Sequence, residues 1–251
     1  MATWTQSDSE ESSQVASEGT TLSAATPAGR RGFFTRFVAG SAAVVTGLAS
    51  PRFLQAATSG GSGRASLARQ GEDWMQSLTG KHRTAFDVAA HRNGKPLGSA
   101  KNYLDAWRDA FKVPEREINL VFGIHGDGIP MVLTDALWSR FKIGEQYEVA
   151  DAATKAPATR NVFSEAHVVT DGPVTKDQTV EALQRRGVRF LICMNTIAGA
   201  TRKLSSAGFG EPGEVRAALL GGLLPGVATV PSMVVTLTQL QERGLAYVKL
   251  A

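Results

Sequence analysis

The sequence predicts an α/β protein with a mainly parallel sheet and helices on both faces. Two segments, 118–124 and 188–193, are almost continuously apolar, as strands buried on both faces are. From 118 onward, strand patterns alternate with helix patterns, and that alternation is what a parallel sheet with crossover helices requires. Glycine and proline punctuate the joints, as at Gly187, Pro212 and Gly244. With 251 residues, 43% of them apolar, there is enough material for a real core.

Residues 1–29 are rich in Ser, Thr, Ala and Glu and have no apolar period, so they are expected to be disordered. Arg30 and Arg31, followed by Gly32, Phe33 and Phe34, precede an apolar run over 37–49 that closes at Ser50, Pro51 and Arg52. This order reads as a targeting segment over 30–56. The run is shorter than the ~20 residues a spanning helix needs. Paired arginines ahead of a weakly apolar run follow the twin-arginine pattern. The expectation is export to the periplasm through the twin-arginine translocase. Residues 54–57 approximate a small-x-small cleavage site, and a chain that kept the segment would stay anchored at the inner membrane. Residues 57–66, with Gly60, Gly61 and Gly63, read as a flexible linker, and the folded domain is expected over 67–251.

Trp74, Met75 and Leu78 suggest a short helix, and 84–90 a first strand. Leu97, Tyr103, Leu104, Trp107 and Phe111 recur at helical spacing until Pro114. The strand over 118–124 leaves at His125 into a Gly126-Asp127-Gly128 turn. Ile129, Leu133, Leu137 and Phe141 predict one helix stopped by Gly144. The long polar connection over 145–165 is expected to serve function or assembly. Thr175 and Gln178 have capping-box spacing ahead of a helix that Gly187 ends. The strand over 188–193 follows, then a helix for which Asn195 is the expected cap. Pro212 opens a further helix, 227–230 is a short strand, 232–243 a helix and 245–250 a final strand.

The 27 basic and 23 acidic residues leave a formal charge of +4 without a basic run, so nucleic-acid binding is not indicated. His82, His91 and His167 lack a second ligand at metal spacing, so no metal site is expected, and nothing calls for a cofactor. Cys193 is the single cysteine, which rules out a disulfide within the chain. Ligands of parallel sheets gather beyond the carboxyl ends of the strands. Two exits there carry reactive side chains, His125 and Cys193. A thiol at a helix start has its thiolate favoured, and a nearby imidazole can act as base or cationic partner. The bland readings stand beside these: cysteine is often a small buried hydrophobe, and His125 can pair with Asp127. Arg160 and Asn161 either line a site or make a subunit contact.

Segments 187–196 (GVRFLICMNT), 223–227 (LLPGV), 230–232 (VPS) and 240–248 (LQERGLAYV) resemble DsrE-like proteins. Upstream, 80–83 (GKHR) with Phe86 and Asp87, 137–141 (LWSRF) and 155–161 (KAPATRN) resemble a twin-arginine-exported, largely uncharacterised branch of that family. The resemblance covers the chain from about Trp74 onward. It implies flavodoxin-like layers, assembly into homo-oligomeric rings, often trimers or hexamers, and sulfur handling by a persulfide on a cysteine that follows a strand. Cys193 is the matching position, whereas His125 lies only near the expected site.

Two functions follow as expectations. In one, Cys193 is a solvent-reachable thiol that takes sulfur from a donor and passes it to an acceptor. In the other, the chain is a non-catalytic oligomeric protein that binds a small ligand in the same cleft, with Asn195, Arg160 and Asn161 as candidate ligand contacts and Cys193 as packing.

Overall fold

The computed structural model describes residues 73–250; the leader at 1–29, the twin-arginine segment at 30–56 and the linker at 57–66 lie outside the described residues. Five strands, β1 (His82–Ala90), β2 (Ile118–Asp127), β3 (Arg189–Cys193), β4 (Ala228–Val230) and β5 (Ala246–Leu250), form one all-parallel sheet in the order β4-β3-β2-β1-β5. The helices are α1 (Lys95–Asp105), α2 (Asp135–Arg140), α3 (Ile143–Gln146), α4 (Val180–Arg185), α5 (Met194–Ser206), α6 (Pro212–Gly221) and α7 (Met233–Glu242). The layers are flavodoxin-like, as expected. The strand order differs from the 2-1-3-4-5 of flavodoxin itself: here β1 to β4 step outward in one direction and β5 returns to the far side of β1.

That single reversal decides which face each helix covers. Parallel crossovers are right-handed, so the connections that step outward lie on one face and the one that steps back lies on the other. On the first face Phe86, Leu120, Phe122, Ile124, Phe190 and Ile192 pack with Leu97 and Leu104 of α1, Leu183 of α4, Ile197 of α5 and Leu219 of α6. On the second, Ala85, Val121 and Leu191 meet Leu237 and Leu240 of α7, together with Met75 from the short turn Asp73–Ser77 and Leu78 just after it. Because side chains alternate along a strand, the central strands are apolar throughout, the property by which they were recognised. The second face is the thinner one. Val234 (76% exposed) and Val235 of α7, with Tyr247 of β5, remain in solvent.

The helix expected over 129–141 does not form as one piece. A 3₁₀ turn covers Ile129–Val132, Leu133 is extended, and α2 starts anew after Thr134. The backbone there bonds sideways instead of along a helix. Leu224 N–H donates to Val132 O, Thr134 N–H to Gly222 O, and the Asn161 amide donates to Met131 O and Leu133 O. Gly144, expected as a helix stop, lies inside α3, where the backbone of Ala158 comes within 2.2 Å of where a Cβ would sit. The connection after α3 is also less open than its polarity suggests. A bridge between Ala150 and Pro157 closes it, Asp151 Oδ1 accepts from the N–H groups of Ala153 and Thr154, and Val149, Ala158, Val162 and Phe163 are buried. The capping box at Thr175 and Gln178 is present, but it closes a short 3₁₀ turn, Lys176–Gln178, and α4 starts afresh after it with Thr179 as N-cap, whose Oγ1 accepts from Ala182 N–H.

Candidate functional site

Alternation along the strands sets the site. Asp87 on β1, His125 on β2 and Cys193 on β3 each lie two, or two pairs of, positions beyond Ala85, Val121 and Leu191, so all three project toward the α7 face. The β2–β3 register pairs Ile124 with Ile192, so its continuation sets His125 beside Cys193 on strands about 5 Å apart. Between β1 and β2 the register slips, from Val88 opposite Ile124 to Ala90 opposite Asp127. A bulge of this kind re-aims side chains at a sheet margin. Gly126 takes the left-handed conformation there (φ 53°), and a Cβ would stand 2.7 Å from Ala89 O. Its N–H donates to Thr196 Oγ1 at 3.1 Å, tying the exit of β2 to the first turn of α5.

Cys193 is the N-cap residue of α5. Asn195, expected in that role, lies inside the helix, exposed, and lines the cleft. The reason is that β3 passes directly into α5 without a loop. A second helix start also reaches the sulfur: the N–H of Met233, first residue of α7, donates to Cys193 Sγ at 3.3 Å. Gly123 makes that approach possible, since a Cβ on it would lie 2.6 Å from Met233 Sδ. The thiol is consequently close to covered, at 4% exposure for the residue, and its open side is the cleft.

Across the cleft, Asp87 accepts two hydrogen bonds of 2.6 Å, one from His125 Nε2–H and one from the Tyr247 hydroxyl on β5. A carboxylate only accepts, so Nε2 carries the imidazole proton, and Nδ1 has no hydrogen-bond partner among the described residues. The hydrogen bond to Asp87 raises the Tyr247 hydroxyl above its ordinary value. Asp87 and His125, together with Thr196, Lys203, Ser232 and Tyr147, bound a cleft of about 470 Å³, and Tyr247 supports Asp87 from outside its lining. Burial pushes the Tyr147 hydroxyl up to about 12, and Lys203 stacks its ammonium 4.0 Å above that ring.

The structure thus brings Cys193, His125 and Asn195 together. Among the described residues no hydrogen bond joins Cys193 to His125. Arg160 and Asn161 are not in the cleft. Arg160 is exposed, whereas Asn161 is fully buried; besides its two carbonyl partners, its Oδ1 accepts from Phe163 N–H at 2.9 Å. Its polarity is spent on holding the chain. Asp87 and Tyr247 were missed: nothing local in the sequence links two residues 160 positions apart. Among the described residues no group of His, Cys, Asp and Glu is arranged to hold a metal ion, and no helix is long and apolar enough to cross a membrane.

No protein-family model matches the chain, and no curated protein matches it. A solved structure of a protein of unknown function from Methanobacterium thermoautotrophicum aligns over 67% of this chain and 99% of its own, with 16% identity and a TM-score of 0.37.

Proposed function

We propose that the chain is a sulfur carrier that holds sulfane sulfur as a persulfide on Cys193. The observation that supports this most is the hydrogen bond from Met233 N–H to Sγ, at the floor of a cleft whose other wall is the Asp87-buttressed His125. Donors aimed at sulfur interact more strongly with an anionic sulfur than with a neutral thiol. In the loading step the Cys193 thiolate attacks the terminal sulfur of a donor R–S–SH. A Cys193 S–S bond forms, the donor S–S bond breaks, and its electron pair leaves on R–S⁻; no external oxidant or reductant enters. In this reading His125, whose Nε2–H is held by Asp87, takes the proton of the Cys193 thiol before attack and returns one to the leaving sulfur. Unloading repeats the step with an acceptor thiolate.

The test is intact-mass analysis of the protein after mild polysulfide treatment. A gain of one sulfur atom in the wild type, absent in Cys193→Ser, is expected. No adduct under conditions that persulfidate a small model thiol refutes the carrier reading.

The low exposure of Cys193 and its packing with Val230, Met233 and Leu237 favour a second reading, a protein that binds a small ligand in this cleft with the cysteine as wall. Alkylation separates the two: a packing thiol reacts far more slowly in the native protein than after denaturation. Resemblance in the segments quoted above also supports a place in the exported DsrE-like branch, with ring assembly. Lysine at both Arg30 and Arg31 should then hold the protein in the cytoplasm, and light scattering should give a mass above one chain. Unchanged export, or a monomer at micromolar concentration, overturns the respective point.

A further inference from the structure

A second, strongly polar groove of about 350 Å³ adjoins the Cys193 cleft; Asp127, Tyr147 and Lys203 are walls of both. On its far side lie Arg92 and Asn93, in the link from β1 to α1, and Glu148, after α3. It therefore opens at the carboxyl ends of the first strands, where parallel sheets hold ligands.

Its backbone is unusual. Six non-glycine residues among those described have positive φ, and three of them line this groove: Arg92 (φ 41°), Asn93 (φ 49°) and Glu148 (φ 54°). With Gly94 (φ 79°), the β1–α1 link has three consecutive residues in the left-handed region. Each non-glycine residue so placed costs on the order of 1–3 kcal/mol unless its surroundings impose it. His91 imposes it here. Its Nε2–H donates to Tyr147 O at 3.0 Å, and its Nδ1 accepts from Asn93 N–H at 3.2 Å. The imidazole must be neutral to do both, and burial indeed holds His91 below its ordinary value.

The charges so displayed are unmatched. Among the described residues, the side chains of Arg92, Asp127 and Glu148 take part in no hydrogen bond or ion pair. With the Lys203 ammonium engaged by Gln146 O and the Tyr147 ring, the unpaired charges on this groove are one guanidinium and two carboxylates, all solvent-exposed, a set that suits a ligand carrying both a carboxylate and an ammonium group. A purely anionic donor would be drawn to Arg92 and Lys203 but opposed by the two acids.

We propose that this groove seats the head group of the sulfur donor, and that the donor is a persulfide of a zwitterionic amino-acid or short-peptide thiol, with its carboxylate on Arg92, its ammonium toward Asp127 and Glu148, and its sulfane sulfur reaching across the shared wall to Cys193. This rests on the carrier reading of Cys193 and adds the substrate class to it.

The experiment compares loading of Cys193 in the full chain by glutathione persulfide and by inorganic polysulfide, in the wild type, Arg92→Ala and Arg92→Lys. The ratio of the peptide-persulfide rate to the polysulfide rate should fall about tenfold in Arg92→Ala, the factor that corresponds to about 1.4 kcal/mol, and recover in part in Arg92→Lys. A ratio unchanged in Arg92→Ala overturns the proposal. Calorimetry with unreactive S-methylglutathione is run in parallel on Cys193→Ser, with and without Arg92→Ala. Binding that weakens about tenfold without the guanidinium supports the groove even if neither donor loads Cys193, in which case only the carrier reading has failed. Absence of binding, or binding indifferent to Arg92, overturns the head-group assignment while leaving the carrier reading to the polysulfide result.

Discussion

Replacing Asn161 with alanine separates a structural role from a ligand role in one residue. The side chain is fully buried and makes three hydrogen bonds, two from Nδ2 to Met131 O and Leu133 O (3.3 and 2.8 Å) and one to Oδ1 from Phe163 N–H (2.9 Å). Alanine makes none of these bonds, and all three partner groups lie in the interior beside a fully buried position. At about 1 kcal/mol net for each bond, with a further penalty for each buried group left unpaired, the loss is about 3–5 kcal/mol. For a domain of this size each kcal/mol lowers the melting temperature by roughly 2–4 °C, so thermal unfolding followed by circular dichroism should show a fall of roughly 6–20 °C. Well below that temperature, sulfur loading of Cys193 should match the wild type, because Asn161 does not line the cleft. A variant that melts within about 2 °C of the wild type, on this same scale, while losing ligand or sulfur binding would refute the reasoning and return Asn161 to the site.

Gly123→Ala sets a new methyl 2.6 Å from Met233 Sδ; the methionine chain can bend away, so the expected cost is small, about 1–2 kcal/mol for overpacking, but the start of α7 shifts with it. Faster native alkylation of Cys193 at near-normal stability is the expected result, and an unchanged alkylation rate would show that Met233 N–H does not govern the sulfur. For His91, burial is the largest influence and lowers its pKa in the folded protein, against smaller opposing effects of the Tyr147 carbonyl bond and Asp127. The unfolded chain therefore takes up a proton first as pH falls through about 6.5, and stability drops from there down to the lower folded-state value. Unfolding free energies at pH 7.5 and 5.5 should differ more in the wild type than in His91→Asn; equal differences would refute the assignment. The carboxylates lowered by ion pairs, such as Glu165 beside Arg185 and Glu117 beside Lys81, act in the same direction but only below the ordinary carboxylate range.

What could be read in advance was what the chain encodes locally. The runs that became β2 and β3 are apolar on every residue that matters because both of their faces are covered, and the end of β3 at Cys193 was legible because the apolar run stops there and a helix pattern follows. The break at Leu133 was hidden, since the groups that divert its backbone, Asn161 and Gly222, come from far along the chain. Strand order was equally hidden. Alternating strands and helices predict a parallel sheet but leave β5 free to join either edge, and only its place beside β1 brings Tyr247 to Asp87. Arg160 and Asn161 were singled out because polar residues in a long connection suggest a site, whereas a buried amide serves equally well as a clamp.

The route of the chain across the sheet has a consequence in time. β1, β2 and β3 can pair as soon as they are made, and at that stage the sulfur of Cys193 stands on an open sheet face with neither the Met233 amide nor the side chains of α7 over it. Residues 228–250, the latest of the described elements to be synthesised, supply that cover, and Tyr247 then fastens Asp87 to the returning strand. A nascent or truncated chain would therefore present a bare thiol to any electrophile, and the finished one a thiol reached through a doorway. The cover over this cysteine is a property the molecule acquires last.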